Sequence, residues 1–143
     1  MRKWAKWLVR VAFAAVFAVN VQCAAQFVLW PGAFSTAYEL SGVAGEAAVR
    51  GIGIAFLMWN ATYPAFIADP ERFHALGWVV LVQQAIGLVG ETCLLFTLPA
   101  GHDLLASSVL RFVVFDGAGL VLMGVAWALA LATSRPEGAP SSR

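Results

Sequence analysis

Two carboxylates lie deep inside hydrophobic stretches of the sequence, where charged groups are costly. Glu91 lies eight residues before Pro99, and Asp116 lies eight residues after Ser108. A helix rises about 1.5 Å per residue, so both acids are expected at one depth, roughly 12 Å inside the ends of their helices. An ionisable group in a membrane span costs about 2.5 to 3.5 kcal/mol and normally faces other helices or water. The two acids therefore predict a polar cluster inside a helical bundle.

Two arginines have the charge needed to neutralise these acids. Arg50 and Arg111 lie near the top of the second and fourth hydrophobic stretches, from where a long side chain reaches down to a carboxylate or up to water. Gln83 and Gly87 precede Glu91 at helical spacing and share its face. The four charges sum to zero, as a buried cluster requires. We predict a buried polar or binding cluster of Glu91, Asp116, Arg50, Arg111 and Gln83.

The sequence leaves two roles open for this cluster. Ion pairs could act as a structural clasp that holds four short helices together, or the cluster could form a pocket that binds a substrate or carries a proton. The amides Asn20, Gln22, Gln26 and Asn60 are more simply interhelical hydrogen-bond links, worth about 0.6 kcal/mol each.

The composition indicates a membrane protein. Of 143 residues, 61% are hydrophobic and 12% are charged, and the mean hydropathy is +0.79. A soluble domain carries about 25% charged residues, because its surface must be wetted. The net charge of +1 gives no basic surface for nucleic acid. The lipid bilayer is therefore the expected partner, with other membrane subunits as further candidates and the small-molecule ligand unknown.

The fold class that follows is all-α, an integral membrane four-helix bundle. A span needs about 20 mainly apolar residues, and four stretches qualify, at about 7–30, 47–68, 73–98 and 108–132. Asp69 and Pro70 suit the cap and first turn of the third helix, while Asp103 and Ser108 are alternative starts for the fourth.

Two segments outside the predicted spans, 31–46 and 134–143, also have sequence patterns that predict their structure. In the first outer link, 31–46, Phe34 and Tyr38 lie at helical spacing, which predicts an extra interfacial or re-entrant helix over the outer mouth of the bundle, with its aromatic face in the lipid headgroups. Residues 134–143 are rich in Pro, Gly and Ser, which predicts a disordered cytoplasmic tail after a transmembrane domain at 1–133.

The distribution of basic residues predicts the orientation, because Lys and Arg are retained on the cytoplasmic side. Placing both termini in the cytoplasm leaves only Arg50 and Arg111 outside, and it puts the remaining basic residues inside: Arg2, Lys3, Lys6, Arg10, Arg72, Arg135 and Arg143. We therefore expect a multi-pass protein of the cell inner membrane. A secretory signal that is cleaved near Cys23 is the alternative interpretation of the first span.

No cofactor or metal is expected. His74 and His102 are the only histidines and fall at opposite ends of the third span, so they cannot face one another as haem ligands. Cys23 and Cys93 are more simply small buried hydrophobes than a redox pair. The sequence contains no zinc, phosphate-loop or hydrolase motif.

Two short stretches resemble a known family. The segments 48–54 (AVRGIGI) and 86–91 (IGLVGE) look like those of small four-span bacterial membrane proteins of the DoxX-like kind. The resemblance covers the second and third spans, and it implies a four-helix fold. Some members of that group are associated with membrane oxidoreductase complexes, and others have no assigned activity.

Three functional hypotheses follow. The first is a non-enzymatic accessory or scaffold subunit, because the chain is nearly all membrane span and has no catalytic motif. The second is a small permease or binding protein for a hydrophobic or anionic solute, with Arg50 and Arg111 as anion contacts and a proton carried by Glu91 or Asp116. The third is a redox subunit that holds a quinone among Trp30, Trp59 and Trp78.

Overall fold

The structure, a computed structural model, describes residues 1–134, and all of their regular elements are helical. The helices are α1 (Lys3–Leu29), α2 (Gly32–Ser35), α3 (Gly42–Asn60), α4 (Tyr63–Ala68), α5 (His74–Thr97) and α6 (Asp103–Ala132), and a 3-10 turn, Thr36–Tyr38, follows α2. Apart from Ser134, the predicted tail lies outside the described residues.

Four helical segments are long and apolar enough to cross a membrane. They are α1, the α3–α4 unit (Gly42–Ala68), α5 and α6. The prediction of an all-helical chain with four candidate spans is therefore confirmed. The outward faces of these helices carry large apolar side chains, with Val43 87% exposed and Phe96 83% exposed. Such faces suit a lipid surrounding better than water.

The helices pack as a bundle, and α4 contributes to one end of it. α1 lies against α3 and α6, α6 lies against α5, and α4 contacts both α1 and α5. Buried aromatic rings pack beside α4, where the centroid of the Phe66 ring lies 4.6 Å from that of Phe13 and 5.2 Å from that of Trp127. These contacts hold α1 and α6 against α4.

α1 and α3 touch through their backbones at Gly53. A Cβ atom at this position would lie 2.8 Å from the carbonyl oxygen of Ala24 and 2.9 Å from Cβ of Phe27. A small residue is what allows two apolar helices to approach this closely.

The link between α1 and α3 contains less helix than the sequence predicts. α2 and the 3-10 turn end at Glu39, which has a left-handed φ of 56°, and α3 already begins at Gly42. The aromatic residues of the link turn inward, since the rings of Phe34 and Tyr38 lie 5.0 and 5.9 Å from that of Phe27. The link therefore covers one end of the bundle instead of presenting an aromatic face outward.

Glu39 ties this link to the start of α6. Its Oε1 accepts a hydrogen bond from the backbone N–H of Leu105 at 3.2 Å, and its Oε2 lies 2.5 Å from Nδ1 of His102. Ser108 adds a hydrogen bond of 2.7 Å from its hydroxyl to the carbonyl of Ala37. The contact with His102 and the bond from Leu105 lower the pKa of Glu39 below its usual value. A carboxylate also suits a helix N-terminus, because it accepts from an unpaired N–H group there.

The link between α4 and α5 is held by charged residues. Asp69 accepts from the backbone N–H of Arg72 at 3.4 Å, but the turn from Pro70 to Phe73 precedes the helix, which starts at His74. Lys6 donates to Asp69 and Glu71 at 3.2 and 2.9 Å. Because of Lys6, the pKa values of both carboxyl groups lie below their usual range. These contacts join the start of α1 to the link.

Candidate functional site

The four long helices enclose one small polar pocket. Its free volume is about 40 Å³, which is room for about one water molecule. It is lined by Asn20 from α1, by Phe56, Trp59 and Asn60 from α3, by Gln84, Gly87 and Glu91 from α5, and by Phe112 and Asp116 from α6. The structure thus brings the two predicted acids, Glu91 and Asp116, to one site.

A chain of hydrogen bonds orients the Asp116 carboxylate. Gln84 is buried, and its Nε2 donates to Oδ1 of Asp116 at 2.8 Å. The hydroxyl of Tyr63 in turn donates to Oε1 of Gln84 at 3.4 Å. Gln84 therefore fixes the position of the Asp116 side chain.

Gly87 makes room for the same carboxylate on α5. A Cβ atom at position 87 would overlap Oδ2 of Asp116, and it would lie 3.5 Å from Cη2 of Trp59. Any larger residue would therefore displace the acid or the indole.

Two acceptor atoms at the pocket have no hydrogen-bond partner among residues 1–134. They are Oε2 of Glu91 and Oδ1 of Asn60. Asn60 is only 4% exposed, and its Nδ2 donates to the carbonyl of Phe56 at 2.8 Å, so only its oxygen is free. A buried acceptor without a partner costs about 1 to 3 kcal/mol. The pocket therefore offers unpaired oxygen atoms beside two carboxylates.

The two predicted arginines do not join the acids. Arg50 is exposed, and its Nε donates to the carbonyl of Val28 at 3.2 Å. Arg111 is also exposed and lines a neighbouring groove. The acid–base contacts that residues 1–134 form involve the Met1 amine, Lys6 and His102 as basic partners, and neither arginine.

Helix geometry explains why the arginines are misplaced. Val49 is buried, so Arg50, one residue later, is turned about 100° away from the face of α3 that packs inward. Arg111 precedes Asp116 by five residues, which places the two about 140° apart around α6. The neutral four-charge cluster expected from the sequence is therefore not assembled.

Gln83 lies next to the site but does not line it. Its Oε1 accepts a hydrogen bond of 3.4 Å from the hydroxyl of Thr62, whereas Gln84 lines the pocket. The sequence contained a signal for Gln84, because residues 84, 87 and 91 also have a spacing that shares one helix face. The sequence analysis named Trp59 but did not single out Tyr63, Phe56 or Phe112.

The other tryptophans and the histidines that the sequence analysis considered do not lie together at the pocket. Trp30 caps the end of α1 and Trp78 lies in the second turn of α5, so only Trp59 reaches the pocket. His74 and His102 flank opposite ends of α5. Within residues 1–134, no group of three or more His, Cys, Asp or Glu residues could hold a metal ion.

An apolar groove of about 220 Å³ adjoins the pocket. It shares Asn20, Phe56 and Phe112 with the pocket. Its other walls are Val19 and Cys23 from α1, and Arg111 and Phe115 from α6. The polar pocket and the apolar groove therefore lie side by side and share three wall residues.

Comparisons with known proteins identify no relative. No protein-family model matches the chain, and no curated protein or solved structure matches it. The fold and the site together define the class, an all-helical protein with four candidate membrane spans and an internal acidic pocket.

Proposed function

We propose that the chain is a multi-pass membrane protein that binds a monovalent cation in exchange for one proton, which is released by the pair of acids Glu91 and Asp116. It belongs with the proton-linked permeases or binding proteins that formed the second hypothesis, but its solute is cationic. One observation carries the proposal: both carboxylates line one pocket, and neither arginine lies there.

The charge balance of the pocket supports a cationic ligand. Two carboxylates in an apolar surrounding are costly unless a counter-charge or a proton compensates them. Gln84 supplies one hydrogen bond to Asp116 but no charge. A proton or a cation would stabilise this site, whereas an anion would be repelled. The anionic version of the permease hypothesis therefore loses its support.

The proposal includes the predicted membrane placement. We place the chain in the cell inner membrane with both termini cytoplasmic, as the basic residues near the start of α1 favour. The segment with α2 and the 3-10 turn would then lie at the outer boundary. The DoxX-like resemblance of the second and third spans agrees with this arrangement, and it remains part of the proposal.

Of the other two hypotheses, the geometry bears on the quinone site alone. Trp30, Trp59 and Trp78 do not lie together around one quinone-sized site, because only Trp59 of these three lines the pocket. The accessory-subunit hypothesis stays a prediction, and purification from native membranes with associated subunits would test it.

Calorimetry of cation binding tests the proposed function. The purified protein is titrated with sodium, potassium and alkylammonium chlorides in buffers of different ionisation enthalpy, which yields the number of protons released per bound cation. We expect proton release from the wild-type protein, and a reduced number from Glu91→Gln and from Asp116→Asn. Glu46→Gln, at an exposed position on α3, is the matched control.

Two results would contradict the proposed function. One is a wild-type protein that binds none of these cations, or binds them without releasing protons. The other is equal proton release from the wild type and from both pocket variants, provided that size-exclusion chromatography and circular dichroism show folded proteins.

A further inference from the structure

The pocket and its adjoining groove lead us to infer the class of solute: a primary ammonium ion that carries one apolar tail. This inference rests on the proposed function, since it names the cation that the same pocket binds. The ammonium group would occupy the polar pocket, and the tail would lie in the groove.

The unpaired acceptors select a cation that carries N–H groups. Oδ1 of Asn60 and Oε2 of Glu91 are buried and lack a partner among residues 1–134. Asn60 supports a ligand at this site independently of the two acids. Its side chain lines the pocket, is only 4% exposed, and forms its hydrogen bond within α3 through Nδ2, which leaves Oδ1 without a partner among residues 1–134. A primary ammonium has three N–H donors for such oxygens, whereas a quaternary ammonium has none.

The pocket walls favour an organic cation over a metal ion. Phe56 and Phe112 face the pocket with their rings 5.9 Å apart, and Trp59 completes the aromatic wall. Aromatic faces attract cations through their negative quadrupole. Calcium and magnesium instead prefer a shell of several oxygen ligands that includes carboxylates, and residues 1–134 contain no group of three or more His, Cys, Asp or Glu residues that could hold a metal ion.

The pocket and the groove differ in size and polarity, which assigns the ammonium group to the pocket and the apolar tail to the groove. The pocket holds about 40 Å³, enough for a small head group, and the groove beside it holds about 220 Å³. The groove walls are mainly apolar, with Val19, Phe56 and Phe115 among them. An alkyl or arylalkyl tail suits these walls, because ligand sites combine apolar area with a few polar groups that set orientation.

Charged and titratable groups around the site limit the ligand to one positive charge. Glu91 on α5 and Asp116 on α6 are the acids, and Tyr63 on α4 contacts Gln84. Arg111 on α6 and Cys23 on α1 line the groove. A second ammonium on the tail would meet Arg111, so monoamines should bind better than diamines of similar length.

The test compares four probes by calorimetry with the full chain in detergent. They are hexylammonium, its N,N,N-trimethyl analogue, hexanol and sodium chloride, and the Glu91→Gln/Asp116→Asn double variant corrects for partitioning into micelles. We expect hexylammonium to bind at least about tenfold more tightly than the trimethyl analogue, because the latter leaves both acceptors unpaired.

Variants separate the head-group contact from general destabilisation. Asn60→Ala should weaken hexylammonium binding about tenfold or more and leave the weak binding of the trimethyl analogue unchanged. Gln22→Ala removes an exposed amide from α1 and should change neither. If Asn60→Ala does not fold, Phe115→Ala is the second variant, because a wider groove should shift the preference towards longer or bulkier tails.

The outcomes distinguish this inference from the proposed function. Equal binding of the trimethyl analogue, or stronger proton displacement by sodium, would overturn the primary-amine inference and leave proton-linked cation binding in place. Hexylammonium binding that neither Asn60→Ala nor Phe115→Ala alters would also overturn the inference. Absence of binding by every cation would overturn both.

Discussion

Gln84 and Asp116 are joined across two helices by a hydrogen bond of 2.8 Å from Nε2 to Oδ1. Gln84 is buried and also accepts a hydrogen bond from the hydroxyl of Tyr63. The contact gives the acid a fixed position at the pocket without neutralising it. An oriented and uncompensated carboxylate of this kind is suited to bind a cation.

Loss of the Gln84 side chain should disturb both stability and binding. Gln84→Ala leaves Asp116 without its donor, so we expect a loss of about 1 to 3 kcal/mol in the free energy of unfolding together with weaker cation binding. Gln83→Ala is the control, because Gln83 contacts Thr62 at 3.4 Å outside the pocket. It should cost about 0.6 kcal/mol or less. Reversible unfolding in mixed micelles measures the unfolding free energies of the two variants. Equal losses in Gln84→Ala and Gln83→Ala would contradict this role of Gln84.

Gly87→Ala should impair the pocket even though alanine is the better helix former. Its Cβ would overlap Oδ2 of Asp116, so the carboxylate must move and cation affinity should fall about tenfold or more. Gly90→Ala, on the same helix, meets nothing within 4 Å. It should preserve affinity and raise stability by about 0.4 to 1 kcal/mol. Unchanged affinity in Gly87→Ala would argue against the placement of Asp116.

Gly53→Ala tests the contact between α1 and α3. The added Cβ would lie 2.8 Å from the Ala24 carbonyl, so the helices must separate, and overpacking of this kind costs about 1 to 3 kcal/mol. At Gly51 the added Cβ would meet nothing within 4 Å, and Gly51→Ala should be neutral or slightly stabilising. Thermal unfolding compares the two, and similar melting temperatures would contradict the close approach.

The contact between Glu39 and His102 should depend on pH. In the folded protein the pKa of Glu39 is lowered, first by His102 and then by the backbone N–H of Leu105. The stability gained is therefore present above the ordinary glutamate value of about 4.3, and it is lost as the pH falls through the lowered value.

Hydrogen exchange in the link from 31 to 41 measures this dependence. We expect protection to fall on acidification in the wild type. In Glu39→Gln, protection should be low throughout the same range, whereas Glu46→Gln should behave like the wild type. A Glu39→Gln profile that matches the wild-type profile would show that the carboxylate does not hold the link.

The sequence predicted the architecture well, because long apolar stretches between turn residues leave few alternatives. It also placed Glu91 and Asp116 at one level, since depth follows from the distance to the helix ends, and both line one pocket. It did not predict which way a side chain points around a helix. A difference of one residue, about 100°, separates Gln83 from Gln84 and turns Arg50 away from the core.

The link between α1 and α3 was harder to predict for a different reason. The spacing of Phe34 and Tyr38 indicated an interfacial helix, and the structure has two short helical elements that end at Glu39, which adopts a left-handed conformation. The side chain of Glu39 contacts His102 and Leu105, more than sixty residues later in the chain. Such tertiary contacts leave no periodic pattern in the local sequence.

Infrared difference spectroscopy can show whether the pair of acids Glu91 and Asp116 releases a proton when a cation enters the pocket. Spectra of the protein in lipid are recorded before and after hexylammonium is added, at the pH where calorimetry detects proton release. We expect loss of a carboxylic-acid C=O band and gain of carboxylate bands in the wild type, with both changes absent from the Glu91→Gln/Asp116→Asn double variant. A wild-type spectrum without change in the carboxyl region, or the same change in the double variant, would contradict the proposed proton release.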